Sequence, residues 1–412
     1  MEHPKGLKDE KMKRALMVIL LFGLVSLFGD IIYEGARSVN GPYLKTIGAS
    51  AAMVGLIAGI GEFLGYGIRL LSGYFSDRTR SYWLFTIAGY GMLIFVPLLA
   101  LTGVWQIAGV FIVLERFGKA LRSPAKDTIM SMAAKRVGTG FGFGLHEAMD
   151  QIGAIIGPLM FTGLFVLMGG GSRSAGDYQL GYAILFIPFL IVLISVIFAY
   201  RRIPNPEEFE GIDRAKPSSD RLGKVFWAYV AFVFLATTGF VNFALIGFHL
   251  KDAGVVPDWA IPLMYAAAMG IDGAFALVIG KLYDRLKARE QDERAGLLTL
   301  IVIPFLSVLV PLSFITESII FPIVGIIVWG MVMGAHETIM RSSIADMTPL
   351  RKRGTGYGIL NTSTGLAFLV GGVVFGILYE IDPILIVVGV IALQSLAIPA
   401  LFVMRRYARA GS

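Results

Sequence analysis

The chain contains twelve apolar segments, and this pattern limits its possible folds more than any other feature. The segments cover residues 15–37, 51–74, 83–103, 105–124, 140–167, 181–200, 225–248, 260–282, 296–315, 318–339, 355–379 and 384–404. Each is close to the length of about 17–25 residues that a helix needs to cross a bilayer. Hydrophobic residues make up 56% of the chain and charged residues only 16%, whereas soluble domains average about 45–50% and about 25%. The sequence therefore predicts an all-α membrane protein with twelve transmembrane helices.

Lysine and arginine are distributed unevenly between the two sides of the predicted membrane. An even number of spans places both termini on one side. On that side the basic residues gather at the N-terminus and at 78–80, 119–136, 201–224, 281–294, 351–353 and 405–409. The loops of the other side contain Lys45, Arg173 and Lys251. Because loops rich in lysine and arginine stay in the cytoplasm, we predict a multi-pass protein of the inner cell membrane with both termini cytoplasmic.

The sequence also argues against several functional classes. The chain has no cysteine, so it can form neither a disulfide framework nor a thiolate metal site. Its net charge is +7, but the basic residues lie at the ends of apolar segments, which is not the pattern of a nucleic-acid-binding surface. We find no phosphate-binding glycine loop, no H-E-x-x-H pair and no G-x-S-x-G elbow. We therefore predict no enzymatic activity, no cofactor and no nucleic-acid partner.

Two motifs occur twice, at matching places in the two halves of the chain. GTGFG at Gly138–Gly142 opens segment five and returns as GTGYG at Gly354–Gly358, which opens segment eleven. Gly73-x-x-x-Asp77-Arg78-x-Arg80 follows segment two and returns as Gly280-x-x-x-Asp284-Arg285-x-Lys287 after segment eight. Such internal repeats indicate two six-helix bundles related by an axis along the membrane normal.

The whole chain resembles transporters of the major facilitator superfamily. The stretch Gly73 to Arg80 is similar to the superfamily's loop between helices two and three, with Arg80 where the usual pattern has glycine. Gly153-x-x-x-Gly157-Pro158 resembles a helix-five motif of many antiporters, without its trailing glycines. The runs 122–127 and 142–150 are similar to a prokaryotic subgroup loosely described as drug or metal efflux proteins. The resemblance implies a central cavity between the two bundles.

Domain boundaries follow from the longest polar stretch. Residues 203–224 contain Pro204, Pro206 and Pro217, which prevent a continuous helix. We predict an N-terminal six-helix bundle at 1–202, a cytoplasmic linker at 203–224 and a C-terminal six-helix bundle at 225–412.

In segment one, Asp30, Glu34 and Arg37 occupy positions i, i+4 and i+7 near the predicted outer end. Glu34 and Arg37 could form an ion pair at the helix end or could contact a substrate. Asp30 lies deeper. A carboxylate removed from water binds a proton more readily, so Asp30 is a candidate proton or cation carrier.

Segments two and four carry further charges inside the predicted membrane, where ionisable residues are expensive and usually face a partner or a cavity. Glu62 and Arg69 share one face of segment two; they could pair within the bundle or contact the substrate. Glu115 and Lys119 have the spacing of a helical ion pair, which could be structural or part of a charge relay. Arg116 lies deepest among the bases of segment four and is the candidate partner for a carboxylate on another helix.

Segment five combines titratable groups with glycines. His146, Asp150, Gly153 and Gly157 lie on one helix face, and Glu147 is adjacent. Small residues at such spacing allow another helix to approach closely in a membrane. His146 and Asp150 could form a proton relay, a divalent-cation site or a hydrogen-bonded pair without a role in transport.

The repeated motifs also suggest a gate. Asp77 and Asp284 end helices two and eight on the face where Gly138 and Gly354 begin helices five and eleven. A carboxylate near a helix N-terminus is stabilised by about 0.3–1 kcal/mol. In the arrangement that the resemblance implies, Asp77 would cap the Gly354 end and Asp284 the Gly138 end when the cytoplasmic side is closed. The same gate would include Gly73, Arg78, Arg80, Gly280 and Arg285.

These features favour a secondary transporter that moves a small molecule or ion by alternating access, and more specifically a proton-coupled exporter of an amphiphilic organic compound. A divalent-metal exporter is the alternative, with His146 and Asp150 or His336 and Glu337 as ligands. A membrane sensor or binding protein without transport is an alternative of another class. We expect a monomer in the lipid bilayer, with protons coupled mainly through the first half.

Overall fold

The computed structural model describes residues 5–169, 171–206, 222–290, 295–347 and 353–410. Within them the α-helices are α1 Lys5–Thr46, α2 Ala51–Thr79, α3 Tyr82–Gly91, α4 Trp105–Val137, α5 Thr139–Leu167, α6 Ala175–Ile184, α7 Phe186–Arg202, α8 Lys224–Thr238, α9 Phe243–Ala253, α10 Ala260–Glu290, α11 Val302–Ser307, α12 Ile320–Met347, α13 Arg353–Ile381 and α14 Ile384–Ala410. Short 3-10 helices at Met92–Phe95 and Pro97–Leu101 extend α3, and others at Ala295–Ile301 and Val310–Phe314 flank α11.

The predicted all-α fold is confirmed. In the described part of the chain, eleven helical segments are long and apolar enough to cross a membrane; α6 with α7, and α8 with α9, each form one of them. The twelfth predicted span corresponds to α4, which carries one acidic and three basic residues from Glu115 to Arg122. These four side chains pack inside the protein. A charged helix can remain within an apolar protein when its charged side chains face partners inside it.

One predicted span is broken near its middle. Between α8 and α9 the chain turns at Gly239, where an added Cβ atom would lie 2.6 Å from Nε2 of Gln394. That amide group donates a hydrogen bond of 2.9 Å to the carbonyl oxygen of Ala236. Asn242 then caps α9 by accepting a hydrogen bond of 2.8 Å from the N–H group of Ala244. The break therefore has a local cause, because side chains replace the missing backbone hydrogen bonds.

We call α1–α7 the first half and α8–α14 the second half. The two halves pack through α2 against α13 and through α5 against α10. The α2–α13 contact is antiparallel and close: a Cβ atom added to Gly55 would lie 2.1 Å from the carbonyl oxygen of Gly372. A Cβ atom added to Gly365 would lie 3.1 Å from Cα of Phe63. Glycine is needed here because the two backbones touch.

We call the end of the molecule where α1 begins and α14 ends the terminal face, and the other end the opposite face. At the opposite face, α1 crosses α9 so closely that a Cβ atom on Gly41 would overlap the carbonyl oxygen of Ala244, at 1.9 Å. Lys45 at the end of α1 forms an ion pair with Asp252 of α9. These contacts join the two halves.

A second set of contacts at the opposite face involves Asp258, which precedes α10. Its carboxylate accepts hydrogen bonds from the N–H group of Arg173 and from the ammonium group of Lys251. Lys251 also donates a hydrogen bond of 3.2 Å to the carbonyl oxygen of Arg173. Because Arg173 belongs to the first half, these bonds hold the opposite face closed.

Most of the predicted linker, residues 207–221, lies outside the described residues. Helix α7 ends at Arg202 and α8 begins at Lys224. The division into two bundles with boundaries at 202 and 225 stays a prediction.

Candidate functional site

A polar cavity of about 350 Å³ lies between the two halves. Its lining includes seven acidic side chains, four basic side chains and one histidine. From the first half these are Asp30, Glu34, Arg37, Arg69, Lys119, Lys126, Asp127, His146, Glu147 and Asp150, and from the second half Asp272 and Glu337. We call this space the central cavity.

Five of the seven predicted coupling residues line the central cavity: Asp30, Glu34, His146, Glu147 and Asp150. The other two, Glu62 and Arg116, line smaller cavities beside it that share Arg37 with it. The structure therefore brings the predicted residues together, although they come from four helices. Their roles in substrate binding or proton transfer stay predictions.

Glu62 and Arg116 belong to a buried chain of alternating charges. Arg37 lies 3.4 Å from Glu62 and 3.7 Å from Glu34, and Arg116 lies 3.3 Å from Glu62. The phenol of Tyr265, in the second half, donates a hydrogen bond to Glu34. The chain of charges thus links α2, α4 and α1 to α10.

The same chain of charges continues on α4. Glu115 lies 3.8 Å from Arg116 and 3.6 Å from Arg122, and Arg122 donates a hydrogen bond of 3.3 Å to the carbonyl oxygen of Gly89 on α3. Buried charges are tolerated when each has an oppositely charged neighbour. This chain therefore accounts for the charges of Glu115, Arg116 and Arg122 on α4.

Two details of the predicted pairing are wrong. Glu62 is paired with Arg37 and Arg116, and the guanidinium group of Arg69 instead donates a hydrogen bond of 2.7 Å to the carbonyl oxygen of Gly65. Glu115 is paired with two arginines, whereas Lys119 lies 3.7 Å from the centre of the Tyr33 ring. The partners of Glu62 come from other helices, and those of Glu115 come from the same helix but not from the i+4 position.

The position of Glu34 and Arg37 also differs from the expectation. The sequence placed them near the outer end of segment one, but α1 continues to Thr46. Both residues are therefore within the helix, with exposed fractions of only 8% and 9%. An ion pair at the water interface is excluded, and the pair is part of the buried chain of charges.

His146 and Asp150 are close, as their spacing predicts, at 3.9 Å between Nε2 and Oδ2. The same Nε2 atom lies 2.8 Å from the ammonium group of Lys126 and 3.4 Å from the hydroxyl group of Ser26. Because an ammonium group can only donate, Nε2 accepts this hydrogen bond and the ring is neutral. The other ring nitrogen, Nδ1, is buried and has no hydrogen-bond partner among the described residues.

The glycine face of α5 packs on α1, as the sequence predicts. A Cβ atom on Gly153 would lie 2.3 Å from the carbonyl oxygen of Leu27 and 3.0 Å from Cβ of Asp30. A Cβ atom on Gly157 would lie 2.4 Å from the carbonyl oxygen of Ile31. This close approach fixes Asp30 against α5, on the face that also carries Asp150.

Sequence reasoning gave too little weight to Asp272. This residue of α10 is only 3% exposed, and its Oδ1 atom has no hydrogen-bond partner among the described residues. The carboxylate lies against α12, where a Cβ atom on Gly334 would be 3.0 Å from Oδ1. An isolated aspartate within an apolar segment was the available signal.

A second space adjoins the central cavity. This cleft between α5, α10 and α12 has a volume of about 790 Å³ and shares Glu147, Gln151, Met269 and Glu337 with the central cavity. Its other lining residues are mostly small or apolar: Gly144, Ala148, Ile155, Gly270, Gly273, Ala274, Ala276, Leu277 and Gly280, with Lys281 and Thr338. We call it the α5–α10 cleft.

The predicted gate residues lie near the terminal face. Asp77, Asp284 and Arg285 are exposed, and Arg78 donates a hydrogen bond of 2.7 Å to the hydroxyl group of Tyr74. Gly354 lies in the first turn of α13, next to residues 348–352, which are outside the described residues. The proposed caps therefore stay predictions.

Backbone geometry explains why some residues occur in the gate motifs. Gly138 joins α4 to α5 with a φ of 122°, a value suited to glycine. Arg80 ends α2 with a φ of 53°, in the left-handed region that also favours glycine. At the remaining glycines the spaces are narrow: a Cβ atom on Gly73 would lie 3.4 Å from Pro124, and one on Gly280 would lie 3.3 Å from Thr338.

The sequence profile of the Major Facilitator Superfamily matches residues 19–372 of the chain. The chain belongs to this superfamily. An uncharacterized protein of Mycobacterium tuberculosis is 38% identical over 393 residues, which cover 94% of this chain and 92% of that protein. An uncharacterized MFS-type transporter of Methanocaldococcus jannaschii is 24% identical over 372 residues, or 89% of each chain.

Solved structures with the same fold include a POT family transporter in complex with 5-aminolevulinic acid, with a TM-score of 0.73 and 14% identity over 95% of this chain and 96% of that one. A nucleoside transporter has a TM-score of 0.69 and 13% identity over 95% of this chain and 99% of that one. This member of the superfamily is therefore a multi-pass membrane transporter, not an enzyme.

Proposed function

We propose that this transporter is a secondary active exporter that exchanges protons for an amphiphilic organic compound by alternating access. The observation that carries the proposal is the central cavity, which contains an excess of acidic side chains and continues into the apolar α5–α10 cleft. A polar space joined to an apolar one suits a molecule with a polar head and an apolar body.

Proton coupling is assigned to the α1–α5 contact. Asp30 and Asp150 both line the central cavity, and Gly153 brings α1 and α5 close enough for the two carboxylates to influence each other. Two neighbouring carboxylates disfavour double ionisation, so one of them readily holds a proton. The imidazole of His146 lies 3.9 Å from Asp150 and is a further proton-binding group beside the two carboxylates.

Alternating access is supported by the difference between the two ends. The opposite face is held closed by Asp258 with Arg173 and Lys251. The α5–α10 cleft, in contrast, extends from Ile155 in the middle of α5 to Gly144 near the terminal face. We assign this conformation to the inward-open side of the cycle, with termini in the cytoplasm, in the inner membrane, and with one chain as the transport unit.

The metal-export alternative has less support. Within the described parts of the chain, no group of three or more histidine, aspartate or glutamate side chains is arranged to hold a metal ion. The His336 ring packs 5.2 Å from the Phe240 ring, and its Nε2 atom is buried. Since metal sites usually need at least three protein ligands, we favour an organic substrate.

The test uses purified transporter in liposomes with an acidic lumen and a trapped pH dye. Cationic, neutral and anionic amphiphiles and divalent metal salts are added outside in turn. Exchange of an added compound for a lumenal proton raises the lumenal pH. We expect the wild type to respond to at least one organic amphiphile, and Asp30→Asn and Asp150→Asn to lose the response.

Glu317→Gln, an exposed acid in the loop before α12, is the matched control and should respond as the wild type does. Uptake of a compound without any change in lumenal pH would refute proton exchange. Binding without uptake would instead identify a sensor or binding protein.

A further inference from the structure

We infer that the substrate carries a positively charged head, which Asp272 binds as its counter-ion, and an apolar body that lies in the α5–α10 cleft. The inference rests on the proposed function and narrows it to one charge class. The central observation is the unpartnered carboxylate of Asp272, which is 97% buried, since its exposed fraction is 3%.

The charges of the central cavity are segregated. The second half contributes Met269, Asp272, Met333 and Glu337, two acids and two methionines, from its described residues. The four basic side chains of the lining all belong to the first half. Inside the central cavity, a cation would therefore meet only acidic charged groups among the described residues of α10 and α12, whereas Lys281 of α10 lines the α5–α10 cleft nearer the terminal face.

The basic side chains of the first half have their own partners. Arg37 lies between Glu34 and Glu62, and Lys126 contacts His146 and lies 3.4 Å from Asp127. A base that is already paired attracts an anion weakly, because the neighbouring carboxylate offsets its charge. Arg37 and Lys126 therefore attract an anion weakly, although they line the cavity.

Asp272 has no comparable neighbour. Its Oδ1 atom faces the backbone of α12 at Gly334, and no described residue donates a hydrogen bond to it. A buried carboxylate that lacks a hydrogen-bond donor is strongly disfavoured in its ionised form. A bound cation would supply the missing charge, which makes Asp272 a site that is complete only with a ligand or a proton.

Other acceptor atoms without partners line the same cavity. Oδ1 of Asp150 and Oε1 of Gln151, both on α5 and both lining the central cavity, also have no hydrogen-bond partner among the described residues. Carboxylate and amide oxygens only accept hydrogen bonds. An ammonium-type or sulfonium-type head could bind to this set, whereas a carboxylate or phosphate could not.

The body of the substrate would follow α10 from Asp272 toward the terminal face. The residues of α10 that line the cleft extend to Lys281, nine positions beyond Asp272, or about 14 Å along a helix that rises about 1.5 Å per residue. Ala274 and Leu277 are exposed in this cleft. An apolar body of one to two aromatic rings matches this length.

The experiment compares two probes of nearly identical size and opposite charge, tetraphenylphosphonium and tetraphenylborate. Binding to full-length transporter in lipid nanodiscs is measured by titration calorimetry, with empty nanodiscs subtracted. We expect saturable binding of the cation and at least tenfold weaker binding of the anion. Asp272→Asn should weaken cation binding at least tenfold, because it removes a desolvated charge partner, whereas Glu317→Gln should not.

Two further variants separate binding from folding. Asp272→Glu keeps the charge and should retain cation binding, and Ala274→Phe should fill the cleft and weaken cation binding while the melting temperature stays near that of the wild type. Equal affinity for both probes, absent cation binding by the wild type, or normal cation binding by folded Asp272→Asn would each overturn the inference.

The outcome is distinguishable from that of the proposed function, because binding needs no proton gradient. A transporter that binds tetraphenylphosphonium but never exchanges it for protons would leave the inference intact and refute the exchange. A transporter that exchanges protons only for neutral or anionic amphiphiles would support the exchange and refute the inference.

Discussion

Replacement of Asp258 by asparagine should open the opposite face. The carboxylate is only 6% exposed and bridges the halves by accepting hydrogen bonds from the N–H group of Arg173 and the ammonium group of Lys251. A hydrogen bond to a charged group contributes about 1.5–3 kcal/mol. Lys251 belongs to the second half, as Asp258 does, so the bond of Asp258 that joins the halves is the one from the Arg173 N–H group. An asparagine oxygen still accepts that bond but without the charge, and we take about 1 kcal/mol for the loss, because a neutral hydrogen bond contributes about 0.5–1.5 kcal/mol.

The size of the expected shift follows directly. The bond between Arg173 and Asp258 exists only when the halves are together at the opposite face, so its weakening acts entirely on that state. About 1 kcal/mol corresponds to about a fivefold change in the ratio of open to closed molecules. A population that is about 1% open would become about 5% open. The Lys45–Asp252 pair, with both side chains more than a third exposed, should contribute less because solvent screens it.

The assay is a distance measurement between spin labels at the opposite face. The chain has no cysteine, so single cysteines at Val104 and Thr316 can be labelled without other changes. Val104 precedes α4 and Thr316 precedes α12, and both are exposed. We expect a longer distance to appear in Asp258→Asn.

The matched control is Asp177→Asn. Asp177 accepts hydrogen bonds from the N–H and hydroxyl groups of Ser174 within the cap of α6, so its loss should lower the melting temperature without changing the distances. An unchanged distribution in Asp258→Asn would refute the claim that these bonds hold the face closed.

Three further changes test other parts of the structure. The double variant Asp77→Asn and Asp284→Asn should shift the equilibrium about three- to thirtyfold toward the state open at the terminal face. It should slow transport without preventing substrate binding. If the caps do not exist, the distances between spin labels at that face will be unchanged. Arg80→Gly should be more stable than Arg80→Ala by about 1 kcal/mol, since only glycine relieves the left-handed backbone, and equal melting temperatures would contradict this. Gly157→Leu should prevent α5 from packing on α1 and reduce the yield of folded protein, whereas Gly163→Leu, on the same helix with no neighbour within 4 Å, should be tolerated.

Helix positions and small-residue contacts could be predicted from the sequence because they are periodic. Gly153 and Gly157 recur on one face, and that face meets the backbone of α1. Span four was identified by its length between loops. The hydropathy of α4 alone is too low to identify a membrane span, because the stretch from Glu115 to Arg122 is charged. Only the packed structure explains these charges.

The partners of the charged side chains could not be predicted in this way. Spacing along a helix suggested Arg69 for Glu62, but Arg37 of α1 and Arg116 of α4 lie there instead. The isolation of Asp272 depends on Gly334 of α12, a contact between segments 62 positions apart. Pairing between helices depends on their rotation and crossing, which hydropathy does not encode.

The α2–α13 pair connects the closed opposite face with the predicted gate at the terminal face. Near the end of α13, Glu380 accepts a hydrogen bond of 3.0 Å from the N–H group of Ala52, at the start of α2. An acid at the end of one helix thus caps the beginning of its antiparallel partner. Asp77 near the end of α2 and Gly354 at the start of α13 stand in the same relation. Residues that lie opposite each other in an antiparallel pair have a nearly constant sum of residue numbers, and this sum is 431 for Asp77 with Gly354 and 432 for Ala52 with Glu380. If α2 and α13 keep this register when the terminal face closes, Asp77 reaches the N-terminus of α13 in the same way that Glu380 reaches the N-terminus of α2. Each of the two caps then favours closure of the face at which it lies.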